Sequence, residues 1–255
     1  MAVSVFLLAL GPGPAAPIWA VDRIATLTLL DAVQRESVVR RRERVWLGDR
    51  AVRIQDLTFG RDLLLQLVEG RAVLLDTAAR TEETVSFEEI AAARKELLDR
   101  LAAVRARVEG TREAEELDRI AAGLSAHMDA LTLARTGKEA QVGENAVPEF
   151  LATTSKKARI LQGPVDAGLP SVYFKALAAA SALPPAVESI PGMQLGGVLR
   201  FVFLNERVQV RIEPLKAEKL IPPEGLFEIP EGYRSIPKTE VRKLDLPPAF
   251  SPGAK

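Results

Sequence analysis

The sequence predicts an α+β protein, an antiparallel β-sheet packed on helices, with a helical insertion between strands. Apolar and polar residues alternate over most of Val21–Phe87, as they do in half-buried strands. The period becomes helical over Phe87–Thr132, and alternation returns from Glu139 onwards. The octapeptide Leu226–Tyr233 then combines apolar residues, Pro230 and a Gly-Tyr corner, which we interpret as the last strand of the sheet.

Short turns join the early alternating segments. Arg44–Leu47 and Ala51–Ile54 flank a Gly-Asp-Arg turn, and Asp62–Val68 is joined to Arg71–Leu75 by a Glu-Gly turn. Connections as short as these cannot form a parallel crossover. Both pairs are therefore predicted to be antiparallel β-hairpins.

The helical insertion begins with two capping signals. Ser86 and Glu89 have the spacing of a capping box, and Val85 and Ile90 have that of a hydrophobic staple. The apolar residues that recur at helical spacing are Phe87, Ile90, Leu97, Leu98, Leu101, Val104 and Val108, then Leu117, Ile120, Leu124, Met128 and Leu131. Because Gly110 interrupts this pattern, we predict a helical hairpin over residues 87–132, charged outside and apolar along one stripe.

The remaining elements follow in order after the insertion. The later segments that alternate like strands are Glu139–Val142, Val147–Thr153, Lys157–Leu161, Val198–Leu204 and Val208–Leu215. A shorter apolar helix is predicted over Pro170–Leu183, and the Pro-rich stretch Pro237–Lys255 is expected to lack fixed structure. These elements predict one domain over residues 21–236, with its insertion at 87–132.

Composition argues against several functional classes. Lys and Arg total 34 and Asp and Glu total 34, so no overall field attracts nucleic acid. The single histidine, His127, and the absence of cysteine remove most metal and thiol chemistry. The sequence has no Gly-x-Ser-x-Gly elbow and no phosphate loop. We therefore expect a protein that is not an enzyme and has no cofactor or metal.

The N-terminus resembles a secretory signal peptide. Ala2–Leu10 is apolar, Gly11–Pro14 breaks it, and Ala15–Ala20 ends in small residues. The apolar run is shorter than the roughly 20 residues that span a bilayer. No Lys or Arg precedes Arg23, so either the true start lies upstream or this is an ordinary buried segment. We predict a signal peptide over residues 1–20 and a periplasmic or secreted location.

Four short phrases carry a family resemblance. Phe227–Tyr233 reads Phe-Glu-Ile-Pro-Glu-Gly-Tyr, and Gly197–Arg200 reads Gly-Val-Leu-Arg. Leu75–Thr81 contains Leu-Asp-Thr, and Thr136–Gly143 begins Thr-Gly-Lys. With the order of elements, they resemble an uncharacterised family of exported bacterial domains of the LolA/LolB type. That resemblance implies a half-barrel, in which a curved antiparallel sheet wraps around helices, although the long helical insertion departs from the pattern.

The most basic run of the chain is Arg40–Arg44. On a strand, alternate arginines project to opposite faces, so the run does not form a single patch. A solvated edge that discourages pairing between sheets is the simpler interpretation. The alternative is transient attraction to anionic lipid headgroups at a membrane surface.

The half-barrel resemblance implies a concave apolar face, which gives the leading functional hypothesis. We expect an exported, non-catalytic protein that binds a hydrophobic ligand, a lipid or acyl chain, between sheet and helices. The candidate ligand-binding residues are Trp46, Ile54, Leu65, Phe201 and Phe203. Each buried methylene contributes about 0.8 kcal/mol, so even a partial groove can hold an acyl tail. Helices that fill the concavity would leave no site.

The alternative hypothesis is a structural or interaction module. In this interpretation the predicted helical hairpin over residues 87–132 docks a protein partner through a coiled-coil-like contact, which suits its charged, aromatic-poor surface.

Overall fold

The structure, a computed structural model, describes residues 16–30, 36–125, 130–142, 144–155, 159–203 and 206–237. It is an α+β fold dominated by one large antiparallel sheet. No helix within the described ranges has both the length and the apolar character needed to cross a membrane.

The strands and helices follow one another along the chain largely in the predicted order. The strands are β1 (Ile18–Leu30), β2 (Glu36–Leu47), β3 (Ala51–Asp56), β4 (Arg61–Gln66), β5 (Arg71–Asp76), β6 (Thr81–Ser86), β7 (Leu131–Val142), β8 (Asn145–Thr154), β9 (Arg159–Asp166), β10 (Met193–Gln194), β11 (Gly197–Phe203), β12 (Glu206–Leu220) and β13 (Arg234–Ser235). The helices are α1 (Phe87–Arg107), α2 (Arg112–Ser125) and α3 (Val172–Ala179), with a 3₁₀ turn over Pro185–Ser189.

One continuous sheet joins the two halves of the chain. Its strand order is β13-β6-β5-β4-β3-β2-β1-β12-β11-β9-β8-β7, with β10 paired to β9. Strands β1 to β6 pair with their sequence neighbours, and the long β12 returns to pair with β1. All the pairings are antiparallel except that of β13 with β6. The strands before and after α1 and α2 therefore belong to the same sheet.

The sheet has two differently covered faces. On the inner face, Val45, Val52 and Leu65 belong to the main core, together with Phe174 and Leu177 of α3. The outer-face apolar residues of strands β1 to β5 are Ala20, Trp46, Leu64, Val73 and Leu75, and residues 226–233 pack against them. The early strands are therefore covered on both sides.

The octapeptide Leu226–Tyr233, here called the C-terminal strap, is not the last strand. Leu226 packs against Trp46, and Ile229 and Tyr233 pack against Val73 and its neighbours. The strap's backbone forms turns, and its carbonyl oxygens accept hydrogen bonds from side chains of the sheet. The prediction of a closing strand is wrong because these apolar residues lie across the sheet face rather than beside a strand. After the strap, the two residues of β13 join the sheet by pairing with the free side of β6.

Several local predictions are confirmed. The β2–β3 and β4–β5 hairpins form as expected. The Glu89 backbone N–H donates to Ser86 Oγ (3.1 Å) and the Ser86 N–H donates to Glu89 Oε2 (2.9 Å), which completes the capping box. The helical prediction over 87–132 runs too far, because α2 ends at Ser125 and Leu131 already begins β7. The predicted Pro-rich tail beyond Pro237 lies outside the described residues.

The start of β11 requires a glycine. Gly197 has a φ of +84°, and a Cβ there would lie 2.1 Å from the backbone oxygen of Gln162 on β9. Both the left-handed backbone and the close approach of β9 exclude a side chain at this position. The glycine of the Gly-Val-Leu-Arg phrase is therefore explained by the close approach of β9 where it pairs with β11.

The predicted cleavage site after Ala20 lies inside β1. Ile18 pairs with Leu220, and Trp19 pairs with both Lys219 and Leu47. Cleavage after Ala20 would remove the first three residues of this strand, while residues 1–15 lie outside the described part of the chain. The signal peptide stays a prediction.

Candidate functional site

Three of the five predicted ligand-binding residues are packed into the sheet. Trp46, Ile54 and Leu65 are only 4%, 7% and 0% exposed. In the β2–β3 register Ile54 lies opposite Val45, whereas Trp46 lies opposite Arg53, so Trp46 and Ile54 point to opposite faces. The expected grouping of Trp46 with Ile54 and Leu65 on one concave face is therefore wrong. Binding of a hydrophobic ligand by this protein stays a prediction.

Trp46 is fixed by polar neighbours on the outer face. Its indole Nε1 donates to Gln55 Oε1 at 2.7 Å, and the Arg44 guanidinium lies 5.7 Å from the ring centroid. Arg44 in turn donates to both carboxylate oxygens of Asp22, at 2.6 and 2.8 Å. These hydrogen bonds from Arg44 outweigh burial and lower the pKa of Asp22. The surroundings of Trp46 thus orient it for packing under the strap.

The other two predicted residues, Phe201 and Phe203, lie on β11, and their side chains are outside the described part of the structure. Backbone register places Phe201 opposite Val208. That position adjoins a second apolar cluster, which we call the inner strip: Ala25, Leu27, Leu29, Val208, Val210 and Ile212. The inner strip is a separate cluster from the main core.

A buried ionic network also occupies the inner face of β1 and β2. Arg23 Nε donates to Glu43 Oε2 at 2.7 Å, and Arg23 Nη1 donates to the Tyr173 hydroxyl of α3 at 3.3 Å. Arg41 Nε donates to the second oxygen of Glu43 at 2.5 Å. Burial opposes the charge on Glu43, but the attraction of Arg23 and Arg41 outweighs it and lowers the pKa of Glu43. Glu43 is therefore ionised at neutral pH, and its partner Arg23 links the sheet to α3.

The arginine run divides as its alternation predicts. Arg41 points to the inner face, where it contacts Glu43, whereas Arg42 and Arg44 point to the outer face near Asp22. The run is therefore not a single basic patch. Within the described ranges no three His, Cys, Asp or Glu side chains form a metal-binding group, and His127 falls outside those ranges.

The helical insertion forms a second candidate site. Its root is anchored, because Ile90 is in the main core and the buried Arg94 donates from Nη1 to the carbonyl oxygen of Ser181, just after α3. Burial lowers the pKa of Arg94 to about 10. Beyond this root, residues 95–107 of α1 and the whole of α2, here called the arm, have their principal contacts with each other.

Within the arm, α1 and α2 pack against each other, each through one face. Arg105 Nε donates to Asp118 Oδ1 at 3.1 Å across the pair, and Ala114 of α2 is buried. The opposite side of α1 exposes the small residues Ala102, Ala103 and Ala106. Val104, which helical spacing assigned to the apolar stripe, is 46% exposed. The arm therefore presents apolar atoms to solvent between charged residues.

A shallow depression of about 360 Å³ lies beside the strap, at the sheet end that carries the β2–β3 and β4–β5 turns. Its lining includes Ile18, Gly48, Gln66, Val68, Pro222 and Phe227. Gln66 Nε2 already donates to the Phe227 carbonyl oxygen at 2.8 Å, so this side chain is committed to holding the strap.

Comparison with known proteins does not place the chain in a family. No protein-family model matches it, and no curated protein matches it. Among solved structures, it is similar to an uncharacterized conserved protein from Thermus thermophilus, with 10% identity, a TM-score of 0.37, and coverage of 87% of this chain and 90% of that one. It is also similar to PNGF-II, with 8% identity, a TM-score of 0.37, and coverage of 90% of this chain and 32% of that one. The chain thus spans about a third of PNGF-II.

Proposed function

We propose that the protein is a non-catalytic interaction module that docks an α-helical protein partner on the exposed side of the arm. The observation that carries this proposal is the contrast between two regions. The side chains of Trp46, Ile54 and Leu65, which were candidates for ligand binding, are buried by packing within the protein. The arm, in contrast, is anchored at its root and exposes apolar residues to solvent.

The exposed side of α1 has the composition of a helix-packing surface. Small side chains at Ala102, Ala103 and Ala106 allow a second helix to approach to about 8–10 Å between axes. Exposed Arg100 and Arg107 lie along the same helix and offer charged contacts at the rim. Because α1 and α2 pack against each other through one face of each helix, the exposed side of α1 is available to a third helix.

Site-specific cross-linking tests the proposal, since the chain contains no cysteine. A photoactivatable cross-linker on an Ala103→Cys variant, expressed in the native host, should yield one discrete product whose partner peptide is helical. The matched control is Glu224→Cys, an exposed position next to the strap and away from the arm. Equal products at both positions, or none at Ala103→Cys, would exclude the arm as a docking site.

Removal of the arm separates a docking role from a structural one. Replacing residues 96–124 with a short Gly-Ser linker keeps Ile90 and Arg94 at the root. We expect the β-sheet circular-dichroism signal and cooperative unfolding to persist while the cross-linked partner is lost. Loss of the fold on this replacement would show that the helices stabilise the sheet instead.

A second candidate function is binding of a hydrophobic ligand along the inner strip. It is favoured by the separation of this cluster from the main core, with Leu27 and Leu29 only partly buried. The test is uptake of a fluorescent fatty acid, which Leu27→Asp should reduce and Val68→Asp, an exposed change far from the strip, should not. The absence of uptake by the unmutated protein would end this candidate.

The half-barrel of LolA/LolB type and export of the protein are also part of the proposal. The half-barrel is supported by contacts between β7 and β12, which are separated by three strands in the sheet order and meet only if the sheet curls. N-terminal sequencing of the mature protein from cell fractions tests export. If the mature protein is found in the envelope and its sequence begins before Ile18, the protein is exported and β1 remains complete. In that case the cleavage site is not after Ala20.

A further inference from the structure

Two neighbouring turns form a rigid apolar projection at one end of the sheet. The tip, as we call it, comprises Leu57–Gly60 between β3 and β4 and Thr77–Arg80 between β5 and β6. Leu57 and Phe59 are 50% and 55% exposed. Large apolar side chains are costly to expose on a tight turn, where polar residues are the common choice.

The tip is held in one conformation by its own hydrogen bonds. Asp56 Oδ1 accepts from the backbone N–H groups of Thr58 (2.8 Å) and Phe59 (3.0 Å). The Leu57 N–H donates to the carbonyl oxygen of Arg42 at 2.8 Å. The Thr77 N–H and hydroxyl both donate to the Gly60 carbonyl oxygen, each at 2.8 Å, which joins the second turn to the first. Leu57 and Phe59 are thus presented outward on a fixed support.

The exposed charge at the tip is positive, although the chain as a whole is neutral. Arg42 and Arg80 are exposed and Arg61 is half-buried. Of the neighbouring acids, Asp56 is buried within the turn, Asp76 lies 3.8 Å from Arg61, and the largely buried Asp22 lies 3.9 Å from Arg42. Arg42 belongs to the arginine run of β2. Its carbonyl oxygen accepts the hydrogen bond from Leu57 that supports the tip, and its side chain is exposed.

We infer that the tip binds the surface of an anionic lipid bilayer. Leu57 and Phe59 enter the boundary between headgroups and acyl chains, while Arg42, Arg61 and Arg80 face the lipid phosphates. Charge complementarity selects this occupant, because exposed arginines beside two exposed apolar side chains match a surface that is negatively charged outside and apolar beneath. The inference uses a different site from the arm and does not depend on the proposed docking function.

Vesicle co-sedimentation tests the inference with the full chain. We expect binding to vesicles of equal parts phosphatidylcholine and phosphatidylglycerol, loss of that binding at high salt, and little binding to phosphatidylcholine alone. A Leu57→Ser, Phe59→Ser double variant should bind at least about tenfold more weakly. An Arg42→Glu, Arg80→Glu variant should lose binding to a similar extent.

A matched control lies at the other end of the sheet. Val68 and Ile221 are 64% and 69% exposed, beyond the opposite ends of β4 and β12. A Val68→Ser, Ile221→Ser variant removes comparable apolar surface and should bind anionic vesicles as the unmutated protein does. All of these changes are at exposed positions, and thermal unfolding checks that each variant is folded.

Three results would overturn the inference. One is equal binding of the unmutated protein to neutral and anionic vesicles, or binding to neither. Another is unchanged binding after the Leu57→Ser, Phe59→Ser substitution. The third is a dimer, seen by analytical ultracentrifugation, that the same substitution dissociates, since a second copy of the chain would then cover the tip.

Discussion

Arg53 donates a hydrogen bond of 2.8 Å from Nη1 to the carbonyl oxygen of Leu226, which lies 173 residues later in the chain. Its other nitrogens, Nε and Nη2, donate to Asp62 Oδ2 at 3.0 and 2.7 Å. One buried guanidinium therefore satisfies a buried carboxylate and fixes the strap on the outer face. The strap is thus held by this ion pair as well as by its own apolar side chains.

The first prediction concerns this guanidinium. Arg53→Ala leaves Asp62 as an uncompensated buried charge and removes the donor to Leu226, so we expect a loss of about 3–5 kcal/mol in the free energy of unfolding. Urea denaturation measures the loss, with the exposed Arg50→Ala as the control. A cost of Arg53→Ala no larger than that of the control would contradict the role assigned to the ion pair.

The second prediction concerns the contact between Gly48 and the strap. A Cβ on Gly48 would lie 2.8 Å from Cε2 of the Phe227 ring, so Gly48→Ala should cost about 1–2 kcal/mol by overpacking. In a Phe227→Ala background the ring is gone and the cost should fall, because the remaining close approach is that of the Ala51 carbonyl oxygen at 3.2 Å. A double-mutant cycle by urea denaturation measures this coupling. Additive effects would mean that the ring moves aside without cost.

The third prediction is a matched pair of glycine substitutions. Gly197 and Gly232 have similar φ angles, +84° and +79°, but only Gly197 has backbone atoms where a Cβ would lie. Gly232→Ala should cost about 1 kcal/mol for its left-handed backbone. Gly197→Ala should cost about 3 kcal/mol or more, since the strain and the clash with Gln162 add. Thermal unfolding compares the two variants, and equal costs would contradict the constraint that the close approach of β9 places on Gly197.

The fourth prediction is a loss of stability in acid. The pKa of Glu43 is lowered in the folded protein, so protonation favours the unfolded chain. The stabilisation is complete above the unfolded-state pKa of about 4.3 and is lost as pH falls through the lower folded-state pKa. Asp22, whose pKa is also lowered, acts in the same direction. We therefore expect the free energy of unfolding to decline steeply below about pH 4.

A Glu43→Gln variant provides the control for this pH dependence. Gln cannot be ionised and leaves Arg23 with a weaker partner, so the variant should be less stable at neutral pH but decline less steeply in acid. Chemical denaturation at a series of pH values gives both slopes. Parallel slopes for the two proteins would show that other carboxylates dominate acid unfolding.

Local sequence signals predicted the strand-rich part of the fold well. The β4–β5 hairpin follows from its Glu-Gly turn, and the start of α1 follows from Ser86 and Glu89. Both signals depend on residues within a few positions of one another. The end of the helical region was less well predicted, because the apolar Leu131 fits a helical stripe and a strand equally well.

The course of the strap could not be predicted from local pattern. The apolar residues of the strap, with Pro230 and Gly232 among them, are equally compatible with an edge strand and with a segment that crosses the face of a sheet. The difference is decided by partners far away in sequence, the side chains of Arg53 and Gln66. Similarly, apolar character alone groups Trp46 with Ile54, whereas the β2–β3 register places them on opposite faces.

The tip had a weak signal in the sequence. Leu57-Thr58-Phe59-Gly60 places two large apolar residues between two strands, where a turn usually has polar ones. Their exposure depends on the turn fixed by Asp56, which only the structure shows.

The pairing of β1 with β12 sets the order in which the protein can mature on the ribosome. The first strand can pair early with β2, but its other neighbour, β12, is synthesised much later. Ile18 pairs with Leu220, which is about two hundred residues further along the chain. The strap that shields Leu64, Val73 and Leu75 emerges later still. Until then the nascent chain exposes the apolar outer face of the sheet and the unpaired edge of β1. We therefore expect its folding to rely on chaperones during translation.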